Sequence, residues 1–223
     1  MYKALRQEGV AVSKSTVERI MRALCLRGKK KRRMVVTTDS NHNQPPAPNL
    51  VSRIFDRGAV HRVWLSDITY IRTTQGFAYM AAILDGHSRR IVGFSVQDHM
   101  REELVSYALS SAFWRERPTQ GLLLHSDRGS QYASKAYQNL ANSYGMIVSM
   151  SRKGNCWDNA PIESFFDTLK TEGIGDTIFS SVREAQSFIF EWIEVFYNRQ
   201  RLHSSLGYLS PSSFEERIMA KAA

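Results

Sequence analysis

Three runs rich in β-branched and aromatic residues follow one another closely: Arg62–Ile71, Phe77–Leu84 and Arg90–Val96. Only short turn signals, Thr73 to Gly76 and then Asp85-Gly86, lie between them. Turns this short join antiparallel neighbours, so the segment is read as a three-stranded meander. The period then changes. Glu102–Trp114 predicts a helix, Gly121–His125 a short apolar strand, Ser134–Tyr144 a helix and Met146–Met150 a strand. Two more helices are expected near 160–172 and 182–198. A meander followed by strand–helix–strand closes as a mixed α/β sheet with helices on both sides. The chain has 223 residues, 43% of them apolar, enough to bury such a core without a staple.

This order is the layout of the ribonuclease-H-like fold, a mixed five-stranded sheet flanked by helices. Its core is expected over residues 61–215, with 216–223 as a tail and 34–60 as an extended linker that holds Pro45, Pro46 and Pro48. Residues 1–33 differ in kind. Ser15-Thr16-Val17-Glu18 has the form of a capping box, Val17, Ile20, Met21 and Leu24 share one helical face, and Gly28 is a stop. With Tyr2 to Glu8 and the Gly9 turn before it, the segment reads as a partial helix-turn-helix, its third helix missing, or as a plain helical hairpin. A run of five cations follows: Lys29, Lys30, Lys31, Arg32 and Arg33.

Charge sharpens that division. The chain carries a net +9, and residues 1–62 alone hold +10. A basic arm on a neutral body suits a polyanion such as DNA. The two cysteines, Cys25 and Cys156, fit neither a zinc spacing nor a disulfide framework. No apolar run is long enough to span a membrane, and no leader peptide is evident. The expected location is cytoplasmic.

Three aspartates sit where strands disfavour them: Asp67 in mid-strand, Asp85 after Ala-Ala-Ile-Leu, and Asp127 just past Leu-Leu-Leu-His-Ser. Asp85-Gly86 is explained as a tight turn. Asp127 is either a turn residue or a ligand at the carboxyl end of a strand. If the first and fourth strands are neighbours, Asp67 and Asp127 approach each other. Two carboxylates ~5 Å apart repel by about 3 kcal/mol at an effective dielectric of about 20. A divalent cation or a shared proton relieves that repulsion, and oxygen ligands suit Mg²⁺ or Mn²⁺. On the helix opened by Asn159-Ala160-Pro161, Ile162, Phe165, Phe166 and Leu169 form the buried stripe. Glu163 and Lys170 flank it, Asp167 points further out, and Asp158 is read as a cap. Periodicity alone leaves Glu163 either exposed or reaching inward.

Several segments together resemble the DDE transposases of bacterial insertion sequences, whose core is similar to retroviral integrases. More narrowly, the chain looks like the second-frame protein (OrfB) of the IS-three family. The resemblance is carried by Val63–Ile71, by His125-Ser126-Asp127-Arg128-Gly129-Ser130-Gln131-Tyr132, and by Ser149–Ala160. It continues through Glu163-Ser164-Phe165-Phe166, Leu169-Lys170 and Glu172, then Tyr197-Asn198, Arg201, His203, Leu206-Gly207-Tyr208 and Ser210-Pro211. Thirty-five residues separate Asp127 from Glu163, the spacing of the family's signature.

The resemblance implies that Asp67, Asp127 and Glu163 are the catalytic carboxylates and hold two Mg²⁺ or Mn²⁺ ions. Two such ions about 3.5–4 Å apart clamp an in-line displacement at phosphorus. The implied reaction nicks the element's ends and joins a 3′-hydroxyl to another DNA strand. The resemblance also implies the bacterial nucleoid as the location. Lys29 to Arg33, Arg152, Lys153, Lys170 and Arg201 are candidate DNA contacts. Asn159 is a candidate to orient Glu163, and His125 is a structural neighbour of Asp127. Expected partners are double-stranded DNA (terminal inverted repeats and target), further copies of the chain in a homodimer or synaptic assembly, and the upstream-frame protein as a fusion. Two other readings stand beside this one: a nuclease of the same fold that only hydrolyses, and a catalytically dead DNA-binding element product.

Overall fold

The computed structural model describes residues 1–28, 45–153 and 155–222. Its centre is a five-stranded sheet in the order β3-β2-β1-β4-β5. β1 (Val63–Thr73), β2 (Gly76–Asp85) and β3 (Ile91–Gln97) form the antiparallel meander. β4 (Leu123–Ser126) runs parallel to β1, and β5 (Ile147–Met150) parallel to β4. Each expected strand is present, with ends moved by one or two residues.

Alternation along β1 divides the core in two. Val63, Leu65 and Ile71 point to one side and Trp64 to the other. The Trp64 side is covered by α3 (Glu102–Glu116) and α5 (Lys135–Ser143), with the single turn α4 (Ser130–Ala133) beside them. Gly93 of β3 lies so close to α3 that an added Cβ would stand 2.6 Å from Ala112 Cβ. The Val63 side is covered by α6 (Ala160–Thr168) and α7 (Val182–Glu191) through Ile162, Phe165, Phe166, Leu169, Ala185 and Ile189. Both helices continue as wide π-turns, Leu169–Ile174 and Trp192–Tyr197.

Several expectations are corrected. The helix α2 (Lys14–Ala23) is capped by Ser13, whose Oγ accepts from the Thr16 N–H at 3.1 Å, not by Ser15. Glu18 closes no capping box; it pairs with Lys14 across one turn at 3.7 Å. The helix stops at Ala23 rather than at Gly28, because Cys25 takes a positive φ. α1 (Tyr2–Gln7) precedes it, and of the expected apolar face of α2 Val17 is buried while Ile20 and Leu24 are exposed.

The second half of the expected linker belongs to the core. Val51 is fully buried. The Leu50 N–H donates to Ser149 Oγ at 2.9 Å, and the Met150 N–H to the Pro48 carbonyl at 3.3 Å. Residues 48–51 thus cover the outer edge of β5. At the other end, the boundary expected between 215 and 216 falls inside the helix α8 (Pro211–Ala222). An ion pair from Arg90 Nε to Glu215 at 2.7 Å and a Ser212 N–H to Asn198 carbonyl bond at 2.9 Å dock that helix.

Candidate active site

The parallel register aligns Leu65 with His125 and Ser66 with Ser126. Asp67 and Asp127 are the next residues on each chain, so they stand side by side where the two strands part. Parity turns both toward α6, since Leu65 and Leu123 already face it. Asp127 begins a turn as well: the Gly129 N–H donates to its Oδ1 at 2.9 Å. The Ile68 N–H donates to Asp67 Oδ1 at 2.8 Å.

α6 delivers Glu163 to the same place. Ile162, Phe165, Phe166 and Leu169 anchor the helix on the sheet and hold Glu163 half-buried at the rim of the stripe. The three carboxylates repel one another. Burial, then Asp127 and more weakly Glu163, push the Asp67 carboxyl well above the usual range; the Ile68 N–H and Lys170 oppose this. Burial, then Asp167 and Asp127, raise Glu163. Tyr132, buried behind Asp67 with its hydroxyl 3.1 Å from Ser66 Oγ, is raised by burial and by both aspartates. Among the described residues no group of three or more His, Cys, Asp or Glu side chains stands close enough together to hold a metal ion.

Lys170 turns inward. Its Nζ lies 4.4 Å from the centre of the Tyr70 ring, and burial lowers its pKa against the pull of Asp167 and Asp67. Asn159 is buried, and its Nδ2 donates to the Ser66 carbonyl at 3.2 Å. It therefore ties the start of α6 to the strand residue beside Asp67. Its side-chain amide bonds the strand and not Glu163, which it was expected to orient.

A second acidic centre lies next to this one. Asp158, read from the sequence as a cap, is fully buried and collects five hydrogen bonds. Arg152 gives three, from its N–H, Nε and Nη2 at 3.0, 2.9 and 2.8 Å. Asn49 Nδ2 and Arg53 Nε give one each at 2.9 Å. Those bonds, Arg152 first, hold the Asp158 carboxyl well below its usual range. Neither Asn49 nor Arg53 carries a periodic signal, since both lie in irregular backbone. The only hint at Asp158 was an acid placed directly before Asn159.

The matches with known proteins agree with this geometry. The Integrase core domain family model matches residues 58–156, and a second Integrase core domain model matches 144–211. "Insertion element IS600 uncharacterized 31 kDa protein" of Shigella sonnei is 45% identical over 219 residues, covering 98% of this chain and 80% of the relative. "Transposase for insertion sequence element IS904" of Lactococcus lactis is 41% identical, covering 96% and 85%. "Transposase InsF for insertion sequence IS3A" of Escherichia coli is 38% identical, covering 97% and 75%. The chain belongs to the IS3-family transposases, with an integrase core.

Solved structures support the fold of this transposase. A chain of the simian T-cell lymphotropic virus intasome superposes with a TM-score of 0.60 at 12% identity, covering 95% of the transposase and 73% of that chain. The catalytic core domain of BIV integrase gives 0.52 at 18%, covering 73% and 99%. The ribonuclease-H-like expectation therefore holds, and transposition is the function this family carries. Its chemistry is polynucleotidyl transfer on DNA.

The remaining expected DNA contacts divide. Lys29 to Arg33 lie outside the described residues. Lys153 is exposed. Arg152 keeps a half-exposed side chain while bonded to Asp158. Arg201 is engaged: its Nε and Nη2 each donate to Glu172 at 2.7 Å, and it stands 6.0 Å from the Tyr197 ring centre. His125 is a buried structural residue. Its ring nitrogens meet Ser149 Oγ at 2.9 Å and Ser151 Oγ at 3.2 Å, and burial lowers its pKa to about 4. No helix among the described residues is long and apolar enough to cross a membrane.

Proposed function

We propose that Asp67, Asp127 and Glu163 are the catalytic carboxylates of this transposase, acting with Mg²⁺ or Mn²⁺ to cleave an element end and join it to another DNA strand. The observation that carries the reading is the pairing of Asp67 with Asp127 at the parting of β1 and β4, faced by Glu163 from α6. A cluster in which Asp127 pushes up the pKa of both Asp67 and Glu163 fits a hard divalent cation, because the cation removes the repulsion.

Asp67 and Asp127, fixed by the sheet, would hold the metal, and Glu163 would complete the set from the helix. Bound metal would polarise the scissile phosphate and stabilise charge on the attacking and leaving oxygens. The residues present do the rest. Lys170, already drawn inward, is a counter-charge for a phosphate beside the carboxylates. Asn159 fixes the distance between α6 and β1. Arg152 and Lys153 offer cations on the approach to the site. Neutral His125 supports the Asp127 strand end and takes no proton in the reaction. Processing two ends calls for two copies, so the working unit is a homodimer or larger assembly on DNA.

The test is strand joining. Labelled DNA carrying the element end is incubated with Mg²⁺ or Mn²⁺ and either the wild-type protein or Asp127→Asn, and the products are resolved. Joined products that fall by about 10³-fold or more in the variant, with DNA binding kept, are expected. Hydrolysis without joining would replace transfer by a nuclease reading. Equal activity in the variant would overturn the site.

A further inference from the structure

Four tryptophans mark the chain, and three have aromatic partners. Trp64 is fully buried and meets His61 edge-on at 5.8 Å. Trp192 packs among Phe165, Phe196 and Tyr197. Trp114, on the surface, still rests against Phe113 and Tyr144 and under Arg117. Trp157 is different. It is 68% exposed, and among the described residues no ring or guanidinium covers it. An indole left in water forgoes more apolar burial than almost any other side chain.

Its mount is rigid. Trp157 stands in the 3₁₀ turn Cys156–Asn159 that opens into α6. The next residue, Asp158, is fixed by Arg53, Arg152 and Asn49, and the one after it, Asn159, is tied to the Ser66 carbonyl beside Asp67. The ring is thus held a short way along the chain from Glu163. The same carboxylate keeps Arg53 and Arg152 in place, both with side chains about half-exposed, and Lys153 is exposed beside them. An exposed apolar face adjoining, in the chain, the aspartate that holds two arginines matches a nucleotide, whose base stacks while its phosphate pairs.

We propose that Trp157 is a base-stacking residue: its indole receives an unpaired base of the DNA end, holding that end open beside the carboxylates. This goes beyond the proposed function but rests on its DNA-processing reading. Stacking tolerates any base, so the residue would set where the end opens rather than which sequence is read. Unpairing is cheapest at a duplex end, where few stacks are lost.

The experiment measures binding without chemistry. Three labelled duplexes of one sequence are used in EDTA at fixed salt: fully paired, with a three-nucleotide unpaired end, and with that end made abasic. Wild type, Trp157→Ala and Trp157→Phe are compared by fluorescence anisotropy. Trp157→Ala is expected to weaken binding to the unpaired end about tenfold, Trp157→Phe to recover most of it, and the abasic end to be indifferent to the change. Equal loss on the abasic end, or no loss at all, would overturn the proposal. So would light scattering that shows Trp157→Ala splitting a DNA-free assembly, which would give the ring to a contact between copies. A wild-type protein that binds none of the three would remove the DNA-processing reading itself, and the inference with it.

Discussion

Two acidic centres meet at the start of α6, and they are built on opposite principles. At Asp158 the carboxylate is fully buried but satisfied: two arginines and an asparagine converge on it, and its pKa is driven down. At Asp67 the charged neighbours are chiefly more carboxylates, and the pKa is driven up. The first arrangement stabilises the folded chain by joining residues 49–53 to the loop before α6. The second costs stability, and a fold keeps such a cost where a ligand removes it. The contrast separates a structural acid from a functional one only one residue from Asn159, where sequence alone shows two adjacent polar residues.

The largest expected effect falls on the unsatisfied centre. Glu163→Gln should lower strand joining by about 10³-fold while circular dichroism and DNA affinity stay at wild-type values. A variant that joined DNA at wild-type rate would erase the distinction between the centres. Next comes the satisfied centre. Arg152→Ala removes its two side-chain bonds to Asp158 and keeps the backbone one, and should cost about 1–3 kcal/mol in urea unfolding. Arg53→Ala should cost less, because Asp158 keeps Arg152.

A third expectation concerns pH. His125 is held below its unfolded value, at about 4, as is His203. A depressed histidine pKa means the unfolded chain binds the proton first. Stability should therefore fall as pH drops from about 6.5 towards 4, by up to roughly 3 kcal/mol per histidine. His125→Gln should flatten its share of that slope in melts across this range. The smallest effect is expected at Arg201 and Glu172. The pair has good geometry but a partly exposed carboxylate, so Glu172→Gln should change stability by about 1 kcal/mol or less, and less still at high salt.

The sheet was legible because its signals are local and periodic: strands in β1 to β5 alternate or run apolar, and turns punctuate them. The approach of Asp67 to Asp127 was an expectation once β1 and β4 were taken as neighbours. Glu163 needed more, since periodicity put it only at the rim of a stripe; the family spacing supplied the choice. What escaped was held by side chains across long sequence separations. Asn49 and Arg53 reach Asp158 over more than a hundred residues, from backbone with no period. The cap of α2 was misplaced by two residues because Ser13 and Ser15 offer the same hydroxyl, and the surrounding backbone decides which one serves. α8 was cut short because its docking relies on Arg90, far away in the chain, and on the Asn198 carbonyl.

The most direct test of the contrast is a pair of melts. Asp67→Asn and Asp158→Asn are unfolded beside the wild type at pH 7 and again near pH 4, without divalent metal. Asp67 has a raised folded pKa, so its stability contribution is present at low pH and lost as pH rises. Asp67→Asn should therefore gain stability at pH 7 and nothing near pH 4. Asp158 has a depressed folded pKa, so its contribution is present at pH 7 and lost as pH falls. Asp158→Asn should lose about 2–4 kcal/mol at pH 7 and less near pH 4. Opposite signs at pH 7 are the predicted result. Two losses of similar size would mean that both aspartates are structural, and would contradict the account.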